Sequence, residues 1–316
     1  MKKCTGFLIL FFTGHLAFAQ VLSKADHQSL QKKEDSIRAY SVKIIQGINA
    51  SDRLEADSLF TRMLVRALKT KGSFHYPFES LQTISIQYSP DSVFRIFTWQ
   101  LVINENVIRQ HGAIQMKTYD GSLKLYPLID KSDVTTNIQD TIGNNYGWMG
   151  AIYYKIILKK SSNQNFYTLL GFDENNIRSS RKVIEVLNFL NDEPTFGGRY
   201  FSFEDDAVFK TSRSRYIMEY KKEAGPRLAY DKDLDMIIVE HLVSESNEPQ
   251  KKWTLVGDGD YEGFTWKGGK WVHVEKVFNV VTPDGRPPVP TPLRDPAGNF
   301  IDENKETPAK PKGKGN

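Results

Sequence analysis

Residues 263–274 read GFTWKGGKWVHV, and this stretch decides the fold. Gly268 and Gly269 both tolerate positive φ angles, so they suit a two-residue primed turn between antiparallel strands. The cross-strand pairs that follow from this turn are Lys267 with Lys270, Trp266 with Trp271, and Phe264 with His273. The sequence therefore predicts a β-hairpin whose register is fixed by its two glycines.

Alternation along the hairpin places its aromatic side chains on one face. This face has two interpretations. Cross-strand aromatic pairs stabilise hairpins and normally face the core, which is the interpretation we favour. In the other interpretation, Phe264, Trp266 and Trp271 form an exposed platform that binds sugar rings or a partner's side chains.

Working outward from the hairpin, a period of two residues dominates the chain from about residue 78. Short connections rich in Asn, Asp, Gly and Ser separate the segments and leave no room for helical crossovers, so the sheets are expected to be antiparallel. Strands are predicted at 81–88, 93–103, 107–118, 123–129, 151–159, 167–172, 182–190, 215–220, 236–242 and 263–278.

A period of 3.6 residues replaces this alternation near the N-terminus. Residues 22–49 predict an amphipathic helix, and Asp52 with Glu55 has the spacing of a capping box at the start of a second helix that ends at Gly72. We expect a helical hairpin packed on the β domain; a coiled-coil dimerisation arm is the alternative. The fold class is mainly β with this N-terminal hairpin (α+β), in antiparallel sheets that are sandwich- or barrel-like.

Both ends of the chain differ from the middle. Lys2 and Lys3, the apolar run 7–12 and Ala17-Phe18-Ala19 follow the order of a secretory signal peptide, with cleavage expected before Gln20. The end is rich in proline and closes with KPKGKGN, a composition typical of a disordered tail. The predicted organisation is a signal peptide (1–19), a helical segment (20–74), an antiparallel β domain (75–281) and a tail (282–316).

Composition excludes several classes of function. The only cysteine, Cys4, precedes the apolar run, so the mature chain has no lipoprotein cysteine, disulfide, thiol nucleophile or thiolate metal site. The chain has a formal charge of +4, and cleavage removes Lys2 and Lys3. The small positive charge that remains is too low to predict a basic surface for nucleic acid. No apolar run after residue 20 is long enough to span a membrane.

Motifs for known catalytic chemistry are not found, and no cofactor is predicted. Asp258, Asp260 and Glu262 match the first half of a calcium loop, but their position between strands favours a turn. Among the histidines, His273 shares a strand face with Glu275, so this pair is the first candidate for catalysis.

Three segments, WMGAIYY (148–154), YTLLGFD (167–173) and YEGFTWK (261–267), resemble an uncharacterised family of exported bacterial proteins. The resemblance covers the β region and implies its fold, with no activity to transfer.

Two functions are therefore expected. The favoured one is a non-enzymatic binding or structural module of the periplasm or cell exterior, with an envelope polymer or protein as its partner. The alternative is a hydrolase of glycan or cell-wall material that uses dispersed carboxylates and a histidine, because such enzymes need no local motif.

Overall fold

The computed structural model describes residues 22–203 and 212–278, so the expected signal peptide and tail lie outside the described residues. Two helices open the described chain, α1 (Lys24–Gln46) and α2 (Ala50–Leu68). Ser23 caps α1 because its hydroxyl accepts a hydrogen bond from the Asp26 backbone N–H at 3.0 Å. The capping box expected at Asp52 is wrong: the N-cap of α2 is Asn49, three residues earlier, and Asp52 lies within the first turn.

Three sheets follow the helices. Sheet 1 is antiparallel, with strand order β1-β2-β3-β4. The predicted strand at 81–88 is too long, because residues 81–84 form turns and only the second half pairs. The strands of sheet 1 are β1 (Ser85–Tyr88), β2 (Phe94–Asn104), β3 (Val107–Met116) and β4 (Lys124–Ile129).

Sheet 2 is also antiparallel and has the order β5-β9-β8-β7-β6, with β11 paired to the first half of β8. The short strands β5 and β9 have too few residues for alternation to reveal them in the sequence. The strands are β5 (Gly143–Asn144), β6 (Ile152–Ser161), β7 (Gln164–Asp173), β8 (Ser179–Leu190), β9 (Glu193–Phe196) and β11 (Arg215–Lys221).

Sheet 3 has the order β10-β15-β14-β13-β12 and contains the hairpin predicted from the sequence. Its register is confirmed, with Trp266 opposite Trp271 across the Gly268-Gly269 turn. One pair, β10 with β15, is parallel, in contrast to the antiparallel pairing expected throughout. The strands are β10 (Phe201–Ser202), β12 (Leu228–Asp231), β13 (Met236–Ser244), β14 (Leu255–Lys267) and β15 (Lys270–Val274).

Three hydrophobic cores join these elements into four layers. The helices pack on one face of sheet 1 through Phe60, Trp99 and their neighbours. The other face of sheet 1 packs on sheet 2, and the far face of sheet 2 packs on sheet 3. Alternation assigns neighbouring residues to different cores, as Leu169 and Leu170 of β7 show. The sheets are stacked and open, so the sandwich-like expectation is the one confirmed.

Candidate functional site

An organised group of polar side chains lies where α2 crosses sheet 1. Asp57 Oδ1 on α2 accepts a hydrogen bond from Trp99 Nε1 at 2.7 Å and contacts His111 Nδ1 at 2.8 Å. Trp99 and His111 are cross-strand partners on β2 and β3. The Asp57 side chain is 11% exposed and that of His111 is 34% exposed. A mostly buried carboxylate thus fixes the orientation of a ring that reaches solvent.

The second ring nitrogen, His111 Nε2, makes no hydrogen bond with any described residue. His111 lies in the wall of two cavities of about 380 Å³ each, which also share Leu128 and Ile129. Asp57 and Arg62 of α2 border one cavity. The other is bordered by the ends of β3 and β4 and by residues 130–134. We call the two adjoining cavities the His111 groove.

Charged side chains surround the His111 groove. Arg62 and Lys131 make no ion pair within 4 Å with a described residue, although both border the groove. Arg109 Nη1 contacts Asp133 Oδ1 at 2.7 Å, and this hydrogen bond lowers the pKa of Asp133 and keeps it anionic. The groove therefore offers an imidazole nitrogen and two unpaired cations to a polar ligand.

His273 and Glu275, the pair expected from strand alternation, are not joined by a hydrogen bond. Among the described residues, His273 contacts the carboxylate of Glu262 on β14, with Nε2 and Oε2 2.9 Å apart. Glu262 Oε1 also accepts a hydrogen bond from Tyr216 at 3.0 Å, and burial raises the pKa of this tyrosine. The contacts connect β11, β14 and β15 inside the molecule.

The aromatic residues of the hairpin are mostly internal. Phe264 and Trp271 have no exposed surface and belong to the core between sheets 2 and 3. Trp271 Nε1 donates to Thr168 Oγ1 at 2.8 Å. Trp266 is partly buried against the same core. This placement matches the core interpretation of the hairpin and leaves little aromatic surface for a ligand.

Two of the three carboxylates of the calcium-loop candidate, Asp258 and Glu262, have other partners. Asp258 Oδ2 contacts His241 Nδ1 at 2.8 Å, and its Oδ1 accepts the Asp260 backbone N–H. Glu262 is held by Tyr216 and His273. Within residues 22–203 and 212–278, no three His, Cys, Asp or Glu side chains are grouped to bind a metal.

A buried ionic network lies deeper in sheet 2. Arg215 Nη2 and Glu185 Oε2 are 3.0 Å apart, and both side chains are at most 1% exposed. Tyr153 contacts Glu185 and accepts a hydrogen bond from Trp148 Nε1 at 2.7 Å. Arg215 also donates to the Thr141 carbonyl at 2.8 Å. Its full burial gives this network a structural role, since no ligand reaches it.

Sequence analysis did not identify Asp57 and His111 as a pair. One usable signal is that Asp57 interrupts the buried stripe of α2, beside Ala56 and before Phe60. A second is the three-residue gap between the predicted strands 93–103 and 107–118, which indicates a tight turn that places Trp99 and His111 on neighbouring strands. The docking of α2 on sheet 1 brings Asp57 to Trp99 and His111, and no local sequence pattern predicts this docking.

No protein-family model, curated protein or solved structure matches this chain. In the part of the chain that the structure describes, no helix combines the length and hydrophobicity that crossing a membrane requires.

Proposed function

We propose that this protein is exported and is a binding module of the cell envelope, with an envelope polymer bound in the His111 groove. One observation supports the proposal above the others. Asp57 holds the Nδ1 side of the ring, and Nε2 has no partner among the described residues in the wall of two adjoining cavities. A ring fixed in this way can exchange a hydrogen bond with a ligand at little cost in conformational entropy.

The border of the groove favours a polar ligand. Thr61 and Arg62 of α2 and Lys131 beyond β4 all face it, and they offer hydroxyl, guanidinium and ammonium donors. An envelope glycan carries hydroxyl, amide and carboxylate groups that accept hydrogen bonds from such donors. The two adjoining cavities form an extended groove, which suits several units of a polymer better than one small molecule.

Export is supported by the signal-like sequence at 1–19 and by the resemblance to exported bacterial proteins. The mature protein is expected to begin near Gln20, without a lipid anchor, in the periplasm or outside the cell. N-terminal sequencing of the protein recovered from cells tests this, and an intact Met1 on the accumulated protein would contradict export.

Binding is tested by sedimentation of the purified protein with isolated peptidoglycan sacculi. His111→Ala should lower the bound fraction at least fivefold, because it removes the group that contacts the ligand. His241→Ala is the matched control. Nδ1 of His241 also contacts an aspartate, Asp258, at 2.8 Å, but His241 lies on sheet 3 and does not line the His111 groove. Equal binding by the wild type and His111→Ala would refute the groove as the binding site. Retention by envelope proteins alone would refute a polymer ligand.

A second candidate function is hydrolysis, and the Asp57–His111 pair itself favours it. A carboxylate on Nδ1 orients the ring so that Nε2 can accept a proton from water. Asp130 and Asp133 border the same cavity as His111 and supply the carboxylates that glycan hydrolysis needs. Hydrolysis predicts the release of soluble fragments from the sacculi, with loss of release in Asp57→Asn. Binding without release would exclude hydrolysis of this polymer.

A further inference from the structure

A slot of about 280 Å³ opens between α1 and α2, and side chains of these two helices alone line it. Ile37 of α1 forms its floor, because it has no exposed surface and belongs to the core between the helices and sheet 1. Met63 of α2 is partly buried against the same core. The slot is therefore an apolar surface at the seam of the two helices, separate from the His111 groove.

The rim of the slot is positively charged. Lys32 and Lys33 of α1 and Arg66 of α2 line it, and none of the lining residues is acidic. Lys33 Nζ donates to Thr70 Oγ1 at 2.6 Å, whereas the side chains of Lys32 and Arg66 make no hydrogen bond or ion pair with a described residue. Such side chains add their methylene stems to an apolar surface while the charged ends stay in water. The slot thus combines an apolar floor with three cations.

Positive charge is concentrated in the whole helical layer formed by α1 and α2. Residues 24–71 contain ten Lys or Arg and six Asp or Glu, an excess that equals the formal charge of +4 of the entire chain. Two of the six carboxylates, those of Glu34 and Asp57, are buried and accept hydrogen bonds from inside the molecule. A third, that of Asp52, lies 3.8 Å from Lys43. The outer surface of the layer is therefore more cationic than its composition indicates.

We propose that the helical layer docks on a membrane that contains anionic phospholipid, with the slot as the point of contact. The phosphate groups of such lipids are complementary in charge to Lys32, Lys33 and Arg66. The apolar floor matches the upper acyl segments that lie just below the headgroups, and the flexible thioether of Met63 can adapt to them. A soluble anionic polymer would meet the same cations but would leave this floor without a partner. The contact does not depend on the polymer proposed for the His111 groove.

Sedimentation of the full mature protein with lipid vesicles tests the contact. At about 0.1 M salt the protein should bind vesicles that contain phosphatidylglycerol and stay in solution with vesicles of phosphatidylcholine alone, because only the first are anionic. Raising the salt to about 1 M should release most of the bound protein, because the Debye length falls to roughly 3 Å. Equal binding to the two vesicles, or binding to neither, would overturn the proposal.

Lys32→Gln combined with Arg66→Gln removes two charges from the rim. A Lys or Arg held near an anionic membrane raises the affinity roughly fivefold, so the double variant should bind at least tenfold more weakly. Both side chains are exposed, so the Tm should stay that of the wild type. Should the double variant fail to fold, each single variant should bind about fivefold more weakly. Lys267→Gln with Lys270→Gln is the matched control, since it removes two exposed charges from sheet 3, at the far end of the stack of layers.

Two single variants locate the contact on the helical layer. Met63→Gln keeps the three cations, and it should still weaken binding because it removes apolar surface from the slot. Ile48, in the turn between the helices, is 91% exposed and offers a competing apolar contact. Ile48→Ser should bind as the wild type does. Wild-type binding by Met63→Gln, or loss of binding in Ile48→Ser alone, would overturn the slot as the contact.

The same variants separate this contact from the His111 groove. Lys32→Gln with Arg66→Gln should still sediment with sacculi, because neither residue lines the groove. Loss of binding to vesicles and sacculi together would assign these cations to the polymer and overturn the membrane contact. A wild type that binds anionic vesicles but not sacculi would support the membrane contact and refute the polymer ligand alone.

Discussion

Replacing Trp271 by alanine tests whether the hairpin that decides the fold is part of the core. Trp271 has no exposed surface, and its indole fills the space between sheets 2 and 3. Its Nε1 is the hydrogen-bond donor to Thr168 Oγ1, and Thr168 is itself fully buried. Lys159 Nζ lies 5.4 Å from the ring centroid, so one face of the indole also contacts a cation.

The magnitude follows from these contacts. Removing a fully buried tryptophan costs about 3–5 kcal/mol, because the transfer free energy is lost and a cavity remains. Leaving the Thr168 hydroxyl without a partner adds about 1 kcal/mol. Each kcal/mol lowers the Tm of a chain of this size by about 2–4 °C, so Trp271→Ala should melt roughly 8–24 °C earlier. Urea denaturation of the mature protein measures the loss in free energy of unfolding, and a thermal scan measures the drop in Tm independently.

Two further variants separate the contributions. Trp271→Phe keeps most of the apolar volume but loses the donor, so it should cost about 1–2 kcal/mol. Lys267→Ala, on the opposite face of the same hairpin and exposed, should change the stability by less than about 0.5 kcal/mol. If Trp271→Ala is well expressed and within about 1 kcal/mol of the wild type, the reasoning is refuted and the hairpin face becomes the leading binding surface.

Three other predictions concern stability. Arg215→Met should lower the free energy of unfolding by about 3–5 kcal/mol in urea, because it leaves Glu185 charged and buried; the more exposed Arg181→Met should cost less. Asp173→Asn should raise the Tm at neutral pH, because an amide has no charge to bury and its oxygen can still accept the hydrogen bond from Gln110 Nε2. Burial raises the pKa of Asp173, so the gain in Tm should be full above the folded-state pKa, where the wild-type carboxyl is charged. The gain should vanish below the ordinary pKa of 3.8, where Asp173 is neutral in both the folded and the unfolded wild type. Truncation after Val281 should leave the Tm unchanged within about 2 °C; a larger drop would show that the tail contributes to stability.

Local patterns in the sequence are sufficient for most of the architecture. Gly268 and Gly269 specify the turn and hence the register of β14 and β15, because a two-residue loop allows only one pairing. The long strands follow from alternation in the same way. The patterns are insufficient where few residues are involved, as in the two-residue strands β5 and β10. They are also insufficient at the start of α2, where the N-cap Asn49 makes no side-chain capping hydrogen bond.

The candidate sites depend on packing between layers and could not be derived in this way. Asp57 and His111 are neighbours only because α2 lies across β2 and β3 at one particular angle. Strand alternation places His273 and Glu275 on one face, but this rule applies only within one strand. Glu262, which His273 contacts, lies on the adjacent strand, and the hairpin register identifies it as a diagonal neighbour of His273 on the same face.

Polar side chains in otherwise apolar contact surfaces occur at every boundary between layers. Asp57 joins the helices to sheet 1, Gln110 joins sheet 1 to Asp173 of sheet 2, and Thr168 joins sheet 2 to Trp271 of sheet 3. Apolar surfaces alone can slide past one another at little cost, whereas a buried hydrogen bond is lost when the layers shift. These contacts therefore fix how the layers align. Asp57 and Gln110 also line the two cavities of the His111 groove, so the groups that align the layers are the ones that position the candidate site.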